Sequence, residues 1–462
     1  MNVLSFVTAV TLLSFYTLAN AARAQKFCLD QTVSKSHFAT RTSYVNAFEA
    51  YNFSKPDVPP FIGKWSDTCS VEAQQLWLIT RHGIRYPLQN EMQRLLATLP
   101  IIAQELIFNH KEGRGCLSDA EAEILEKFTP PFSKRDVGQL AEAGAEEQFM
   151  LGQFWKNLFP HLFEEPYSRD IYEVEFTVAN RTGQSAYHFL RGAFGEDVVA
   201  NNPLPKPHSP NFKLRPYKTC PAWQADVLKS KTTLREQKLY EMEPEFLAMM
   251  RSVSERLGYV ETMSVDDLLA VYAECRYETA WWPVRESVWC RAFSERDILV
   301  LEYHQALRYY YEQAYGGPAL NYEMACSTVS DLLKQIRDRI SGSSQRKASL
   351  YFSHDKELLF LYTALGLYRP SSPLTHDSRS AHIGGPFAIS SLVPFSSNLA
   401  FVLYSCNDGA YRVGGFHLGK PLSLSPLCPD DTSGTCSWPI LKIEDIAQSC
   451  NIRTLCRLRD EL

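Results

Sequence analysis

The densest chemistry in the chain lies in residues 79–87, Ile79-Thr80-Arg81-His82-Gly83-Ile84-Arg85-Tyr86-Pro87, directly behind the apolar run Leu76-Trp77-Leu78. Nearby cations lower an imidazole pKa, so a histidine flanked by arginines makes a poor general base. It suits a nucleophile that stays neutral while its target carries negative charge. Arginine grips phosphate bidentately, which makes a phosphate the fitting target. The plainer reading is a basic turn after an edge strand, closed by Gly83 and Pro87. That reading requires nothing elsewhere, whereas a phosphoryl-transfer site needs at least one more arginine and a proton donor.

Phosphomonoester hydrolysis needs cations around the transferring oxygens, an in-line nucleophile and an acid for the departing alcohol. Two further places supply candidates. Arg181 follows a strand pattern and precedes a helix whose N-terminus can also face an anion. His354-Asp355 follows a second strand pattern and opens another helix. Singly, Arg181 reads as a surface arginine and Asp355 as an N-cap. Their shared position, at one end of one sheet and before helix N-termini, unites them with the first motif.

The elements that must position these residues follow from periodicity. Residues 74–80 read as a buried strand and 91–108 as an amphipathic helix, with Pro100 expected to break or kink it. Residues 140–158 look helical, 172–178 alternate like a strand, and 182–194 return to helix. The loop Asn201-Asn202-Pro203-Leu204-Pro205-Lys206-Pro207 opens a helical insertion, with patterns over 234–257 and 265–272. Helices resume at 295–314 and 322–340, followed by a strand over 349–352 and a helix over 356–367. Residues 398–406 and 411–418 read as antiparallel strands near the sheet edge. Alternating strands and helices with a helical insert predict an α/β fold with a cap.

The chain has 462 residues, 45% hydrophobic and 21% charged, enough for a large core. Its net charge of −5 gives no global basic field for nucleic acid, so any anion site is made locally. Residues 3–18 are almost wholly apolar and are followed by small residues, the pattern of a cleaved secretory signal over 1–24, leaving no stable membrane span. All twelve cysteines lie after it without a C-x-x-C pair, which favours disulfides over a metal site. Cys275–Cys290 and Cys428–Cys436 are the local pairs to expect. Two glycosylation sequons occur, at Asn52 and Asn180. The first falls in a polar loop; the second contains Arg181 and is the weaker candidate. The terminal Arg459-Asp460-Glu461-Leu462 is similar to a K-D-E-L retrieval signal.

Arg81-His82-Gly83-x-Arg85-x-Pro87, the strand-end Arg181 and His354-Asp355 together resemble the histidine acid phosphatase family, over roughly residues 39–440. Arg41-Thr42-Ser43-Tyr44, the tyrosine at position 86, Trp289-Cys290-Arg291-Ala292-Phe293-Ser294 and Tyr315-Gly316-Gly317 are most similar to its inositol-polyphosphate phosphatase branch. The resemblance implies a phosphoglycerate-mutase-like α/β three-layer sandwich. The catalytic domain would comprise residues 25–108, 136–195 and 296–456, and a mostly helical cap residues 109–135 and 196–295. It also implies hydrolysis of inositol polyphosphates through a phosphohistidine on His82. Arg81, Arg85, Arg181 and His354 would hold the phosphate, and Asp355 would protonate the leaving alkoxide, with no cofactor and no metal. Tyr86, Lys356 and Glu357 are further candidates for substrate contact, with Glu357 the reserve acid because the branch usually reads H-A-E where this chain has His354-Asp355-Lys356-Glu357. Leu88 stands where threonine is usual. The expected partners are a polyanionic phosphate substrate and a K-D-E-L-type retrieval receptor, in the endoplasmic reticulum lumen or, with leakage, outside the cell. Alternatives are a broad-specificity secreted acid phosphatase or phytase, a phosphomutase, and a non-catalytic lumenal binding protein.

Overall fold

The computed structural model describes residues 28, 34–47, 72–283, 285–429 and 434–458. The signal segment 1–24, the Asn52 sequon, Cys69 and the terminal tetrapeptide 459–462 lie outside the described residues.

Three parallel strands carry the site: β1 (Ala73–Arg81), β2 (Tyr172–Phe176) and β3 (Ala348–Ser353). Four more follow, β4 (Asn398–Ser405), β5 (Tyr411–His417), β6 (Lys420–Leu422) and β7 (Thr435–Ser437), giving the order β2-β3-β1-β4-β5-β6 with β7 on β5. β4 runs antiparallel against β1 in the middle of the sheet rather than near its edge. Its sequence, Asn-Leu-Ala-Phe-Val-Leu-Tyr-Ser, is apolar on both faces, as a covered interior strand must be.

Alternation along β1 divides the molecule into layers. Trp77 and Ile79 enter one apolar cluster, and Leu76 and Leu78 the other. The second cluster is closed by α2 (Glu142–Leu158) and α3 (Asn180–Phe194) through Leu151, Trp155, Phe189 and Leu190. The first is closed by α1 (Gln89–Lys111), α7 (Cys326–Ile340) and α8 (Asp355–Leu365). α4 (Pro244–Arg256), α5 (Val265–Trp281) and α6 (Glu295–Gln313) share that cluster, so the helical stretch extends the core on this side of the sheet.

Several boundaries differ from expectation for physical reasons. α1 passes through Pro100 without a break. Leu95 and Leu99 before it and Ile102 and Leu106 after it are buried on one face, and that packing outweighs the lost N–H bond. The pattern over 234–257 is two helices, because Pro244 starts α4 at its first position. α5 runs past Tyr272 to Trp281, and nearly every residue from Leu268 on is buried. A helix covered all round shows no stripe for periodicity to detect.

Five disulfides join described residues, Cys275–Cys290 and Cys428–Cys436 among them, with Cys28–Cys116, Cys220–Cys456 and Cys326–Cys450. They fit folding in an oxidising compartment. Among the described residues no helix is long and apolar enough to cross a membrane.

Leu88 is the N-cap of α1, and its side chain cannot accept the hydrogen bond a capping hydroxyl would. Its backbone is extended and its side chain is exposed. Leu88→Thr is therefore expected to raise stability by about 0.5–1 kcal/mol, read as a higher melting temperature. An unchanged or lower value would contradict this capping account.

Candidate active site

The parallel register brings three strand ends together. Arg81 pairs with Ser353 and Phe176 with Phe352, so His82, Thr177 and His354 follow on adjacent strands. The turn after β1 is held by His82 N–H donating to Ser353 C=O (3.1 Å) and by Ser396 N–H donating to His82 C=O (3.2 Å). Gly83 lies against α2 so closely that a Cβ there would sit 2.3 Å from the Gly144 carbonyl oxygen. Glycine is therefore required by contact.

His82 Nδ1 lies 2.9 Å from the Gly83 carbonyl, which only accepts, so Nδ1 carries the proton. The lone pair is left on Nε2. Burial, then the charges of Arg181 and Arg81, hold this imidazole well below its usual pKa. The ring of His354 packs edge-on against it, centroids 5.4 Å apart.

A cavity of about 810 Å³ opens above these strand ends. His82, Arg85, Arg181, His354, Asp355 and Lys356 line it. Arg85 donates to the Tyr86 carbonyl (2.8 Å) and the Tyr277 hydroxyl (3.1 Å); Tyr277 in turn donates to Glu91 (2.8 Å). Arg181 lies in the first turn of α3 rather than before it, and donates to His354 Nδ1 (3.3 Å). The Nε groups of Arg81, Arg85 and Arg181 are buried without a partner among the described residues.

Arg81 does not line the cavity. It is fully buried, shares the face of β1 that carries Trp77 and Ile79, and gives two bonds to the Thr40 and Val393 carbonyls (2.7 and 2.6 Å). Its Nη2 reaches to 3.9 Å from Asp355 Oδ2. Burial alone would raise the Asp355 pKa, but Arg81, Lys356 and Arg85 outweigh it and hold the carboxyl below the ordinary aspartate value. Asp355 occupies the first position of α8, with His354 as the N-cap residue.

Four candidates fall elsewhere or are otherwise engaged. Tyr86 packs at a tilt against Trp281 (5.0 Å between centroids) outside the cavity lining. Glu357 is buried beneath Thr328, whose hydroxyl donates to it (2.8 Å), and burial pushes its pKa up to about 8. Positions i and i+2 of a helix face different ways, so Asp355 and Glu357 cannot share one cavity. Lys356 lines the cavity but pairs with buried Glu312 and lies over the Trp223 ring, so it is no freely solvated lysine. Asn180 donates to Gln139 Oε1 (2.7 Å) at the start of α3.

Sequence reasoning missed much of the outer wall. Arg41, noted only as part of a family-like opening, lines the cavity and holds Glu91 by two bonds of 2.9 Å. Burial opposes ionisation of Glu91, yet Arg41 outweighs it and brings the pKa down to about 2. Arg215, Lys218, Arg276 and Arg308 also face the cavity. In all, ten Arg or Lys residues line it against three carboxylates, Glu91, Glu241 and Asp355. A chain of net charge −5 has concentrated its cations here.

These strand-end groups place a neutral imidazole lone pair among arginine side chains, an arrangement suited to phosphoryl transfer. The chain belongs to the histidine phosphatase superfamily (branch 2), whose family model matches residues 72–414. It is 28% identical over 346 residues to multiple inositol polyphosphate phosphatase 1 of Drosophila melanogaster, covering 72% of this chain and 71% of that protein. It is 25% identical over 415 residues to a thiamine-repressible acid phosphatase of Schizosaccharomyces pombe, covering 86% and 84%. Among solved structures it matches the phytase from D. castellii with a TM-score of 0.69 at 14% identity, over 88% of this chain and 84% of that one, which shows the shared fold.

Proposed function

We propose that this protein is a phosphatase that hydrolyses inositol polyphosphates through a phosphohistidine on His82. The observation that carries the chemistry is the His82 tautomer. Nδ1–H is committed to the Gly83 carbonyl, so Nε2 is a neutral nucleophile facing a cation-lined cavity. Arg85 and Arg181 hold the phosphoryl oxygens, and Arg81 adds charge from beneath. Nε2 attacks phosphorus in line while the bond to the leaving oxygen breaks, and Asp355 gives its proton to that oxygen. Water then attacks the phosphohistidine, with the Asp355 carboxylate taking its proton, and phosphate leaves.

The substrate class rests on size and charge together. About 810 Å³ and ten cations exceed what one phosphate requires, and they match a small ring bearing several phosphates. Similarity to an inositol polyphosphate phosphatase supports this, and similarity to an acid phosphatase supports a broader specificity as the second reading. The disulfides fit lumenal or extracellular residence. Arg459–Leu462, resembling a retrieval signal, adds retention in the endoplasmic reticulum by a K-D-E-L-type receptor.

The test is phosphate release from inositol hexakisphosphate, 2,3-bisphosphoglycerate and an aryl phosphate from acidic to neutral pH. The inositol phosphate should give the highest kcat/KM; a clear preference for the aryl phosphate would favour the broad acid phosphatase. The pH sign follows from the site. Asp355 must be protonated to act, and its lowered pKa drains the acid form as pH rises. His82 stays neutral well below the ordinary imidazole range. kcat/KM should therefore fall from mildly acidic toward neutral pH. Bound phosphate offsets the arginine charges and raises the Asp355 pKa, so the kcat profile should lie to the alkaline side. A kcat/KM that climbs through the ordinary histidine pKa of about 6.5 would contradict both assignments.

A further inference from the structure

Arginine has only donors, so the 3.3 Å contact between Arg181 Nη2 and His354 Nδ1 makes Nδ1 the acceptor. His354 is 3% exposed, and burial followed by the Arg181 charge holds it well below its usual pKa, hence neutral. A neutral ring with its lone pair on Nδ1 carries its proton on Nε2. That nitrogen lies 3.0 Å from the Thr177 hydroxyl, which must accept from it. Thr177 Oγ1 lies 3.0 Å from Thr182 Oγ1, and Thr182 in turn donates to the Ala179 carbonyl at 2.7 Å. Thr177 and Thr182 are essentially fully buried.

Every donor then has one direction: Arg181 to His354, His354 to Thr177, Thr177 to Thr182, and Thr182 to a backbone carbonyl. The path begins in the first turn of α3, passes through the N-cap of α8 and the residue after β2, and ends at the α3 N-cap carbonyl. We propose that Thr177 is a positioning residue, whose hydroxyl fixes the His354 tautomer that holds Arg181 at the phosphate pocket. The proposal rests on the phosphatase reading above. In this tautomer neither ring nitrogen has an N–H left for phosphate, so His354 acts on the pocket through Arg181, and a threonine outside that cavity lining gains a role.

The opposite tautomer would set Nδ1–H against the Arg181 N–H groups, donor facing donor. Removing the Thr177 hydroxyl favours that state, because it leaves Nε2–H buried without an acceptor. Arg181 must then turn away from the ring. A serine at 177 keeps the hydroxyl and should keep the tautomer.

The experiment pairs a spectroscopic readout with kinetics on the full chain. Ring 15N shifts of histidine-labelled protein, with His354→Asn to assign the signal, should show Nδ1 pyridine-like and Nε2 pyrrole-like. Thr177→Val should move His354 toward the other tautomer and lower kcat/KM for inositol hexakisphosphate about 10- to 100-fold, the scale of loss when a partner that orients a working histidine is removed. Thr177→Ser should restore both to near the parent. Far-ultraviolet circular dichroism and the melting transition check that the valine variant is folded; if it is not, the wild-type tautomer and the serine variant still decide. A pyrrole-like Nδ1 in the parent protein, or a folded valine variant with unchanged tautomer and full activity, overturns the proposal. The tautomer is read independently of turnover, so failure of the phosphatase reading shows as absent phosphate release with the ring shifts as expected.

Discussion

His82→Ala should abolish phosphate release, lowering kcat by at least about 10⁴-fold on every phosphomonoester tested. The expectation follows from the loss of the Nε2 lone pair, the neutral nucleophile at the centre of the cationic cavity. The alanine leaves Arg85 and Arg181 in place, so phosphate binding should persist while turnover stops. A variant that binds phosphate yet does not turn over separates loss of the nucleophile from collapse of the site. Retained turnover would reassign the attack to water and leave His82 as a phosphate ligand.

Asp355→Asn should distinguish substrates by their leaving groups. Inositol phosphates expel an alkoxide, a strong base that cannot leave without a proton, so kcat should drop about 10²–10⁴-fold. An aryl phosphate expels a weakly basic phenolate, and the loss there should be about tenfold or less. The geometry allows no replacement from the same helix, because Glu357 points under Thr328 on the opposite side of α8. Double removal, Asp355→Asn with Glu357→Gln, should therefore cost no more catalysis than Asp355→Asn alone. Equal losses on alkyl and aryl substrates would assign Asp355 to positioning through Arg81 instead of proton donation.

The sheet and the placement of the site were legible because each depends on local pattern. β1 and β3 are short apolar runs and β2 alternates; His82 and His354 sit one step past their strands, and Arg181 lies in the first turn of the helix after β2. Once three such strands are parallel, their ends must converge. What escaped detection is non-local. Glu91 looks like an ordinary acid in the first turn of a helix, and only the fold brings Arg41 and Tyr277 to it. Tyr277 lies on a helix buried all round, where no apolar stripe marks a facing side. Arg215 comes from a loop whose path no periodicity predicts.

The misplaced candidates share a cause. Tyr86 and Glu357 are candidates through the resemblance, one within R-H-G-x-R-Y-P and the other for the glutamate of H-A-E, but backbone geometry turns sequence neighbours apart. Tyr86 is drawn to Trp281 on α5, and Glu357 is rotated into the core. Arg81 follows the alternation of β1 onto the face of Trp77 and Ile79, which explains why it meets Asp355 from below while Arg85 lines the cavity. Alternation alone would have given that result.

The most direct test is to mix the protein with inositol hexakisphosphate labelled with radioactive phosphorus and quench with alkali within the first turnovers, since phosphohistidine survives base. The account predicts label on a peptide containing His82, chased to free phosphate on further incubation and absent from His82→Ala. Rapid release of labelled phosphate with no label ever on that peptide would contradict it.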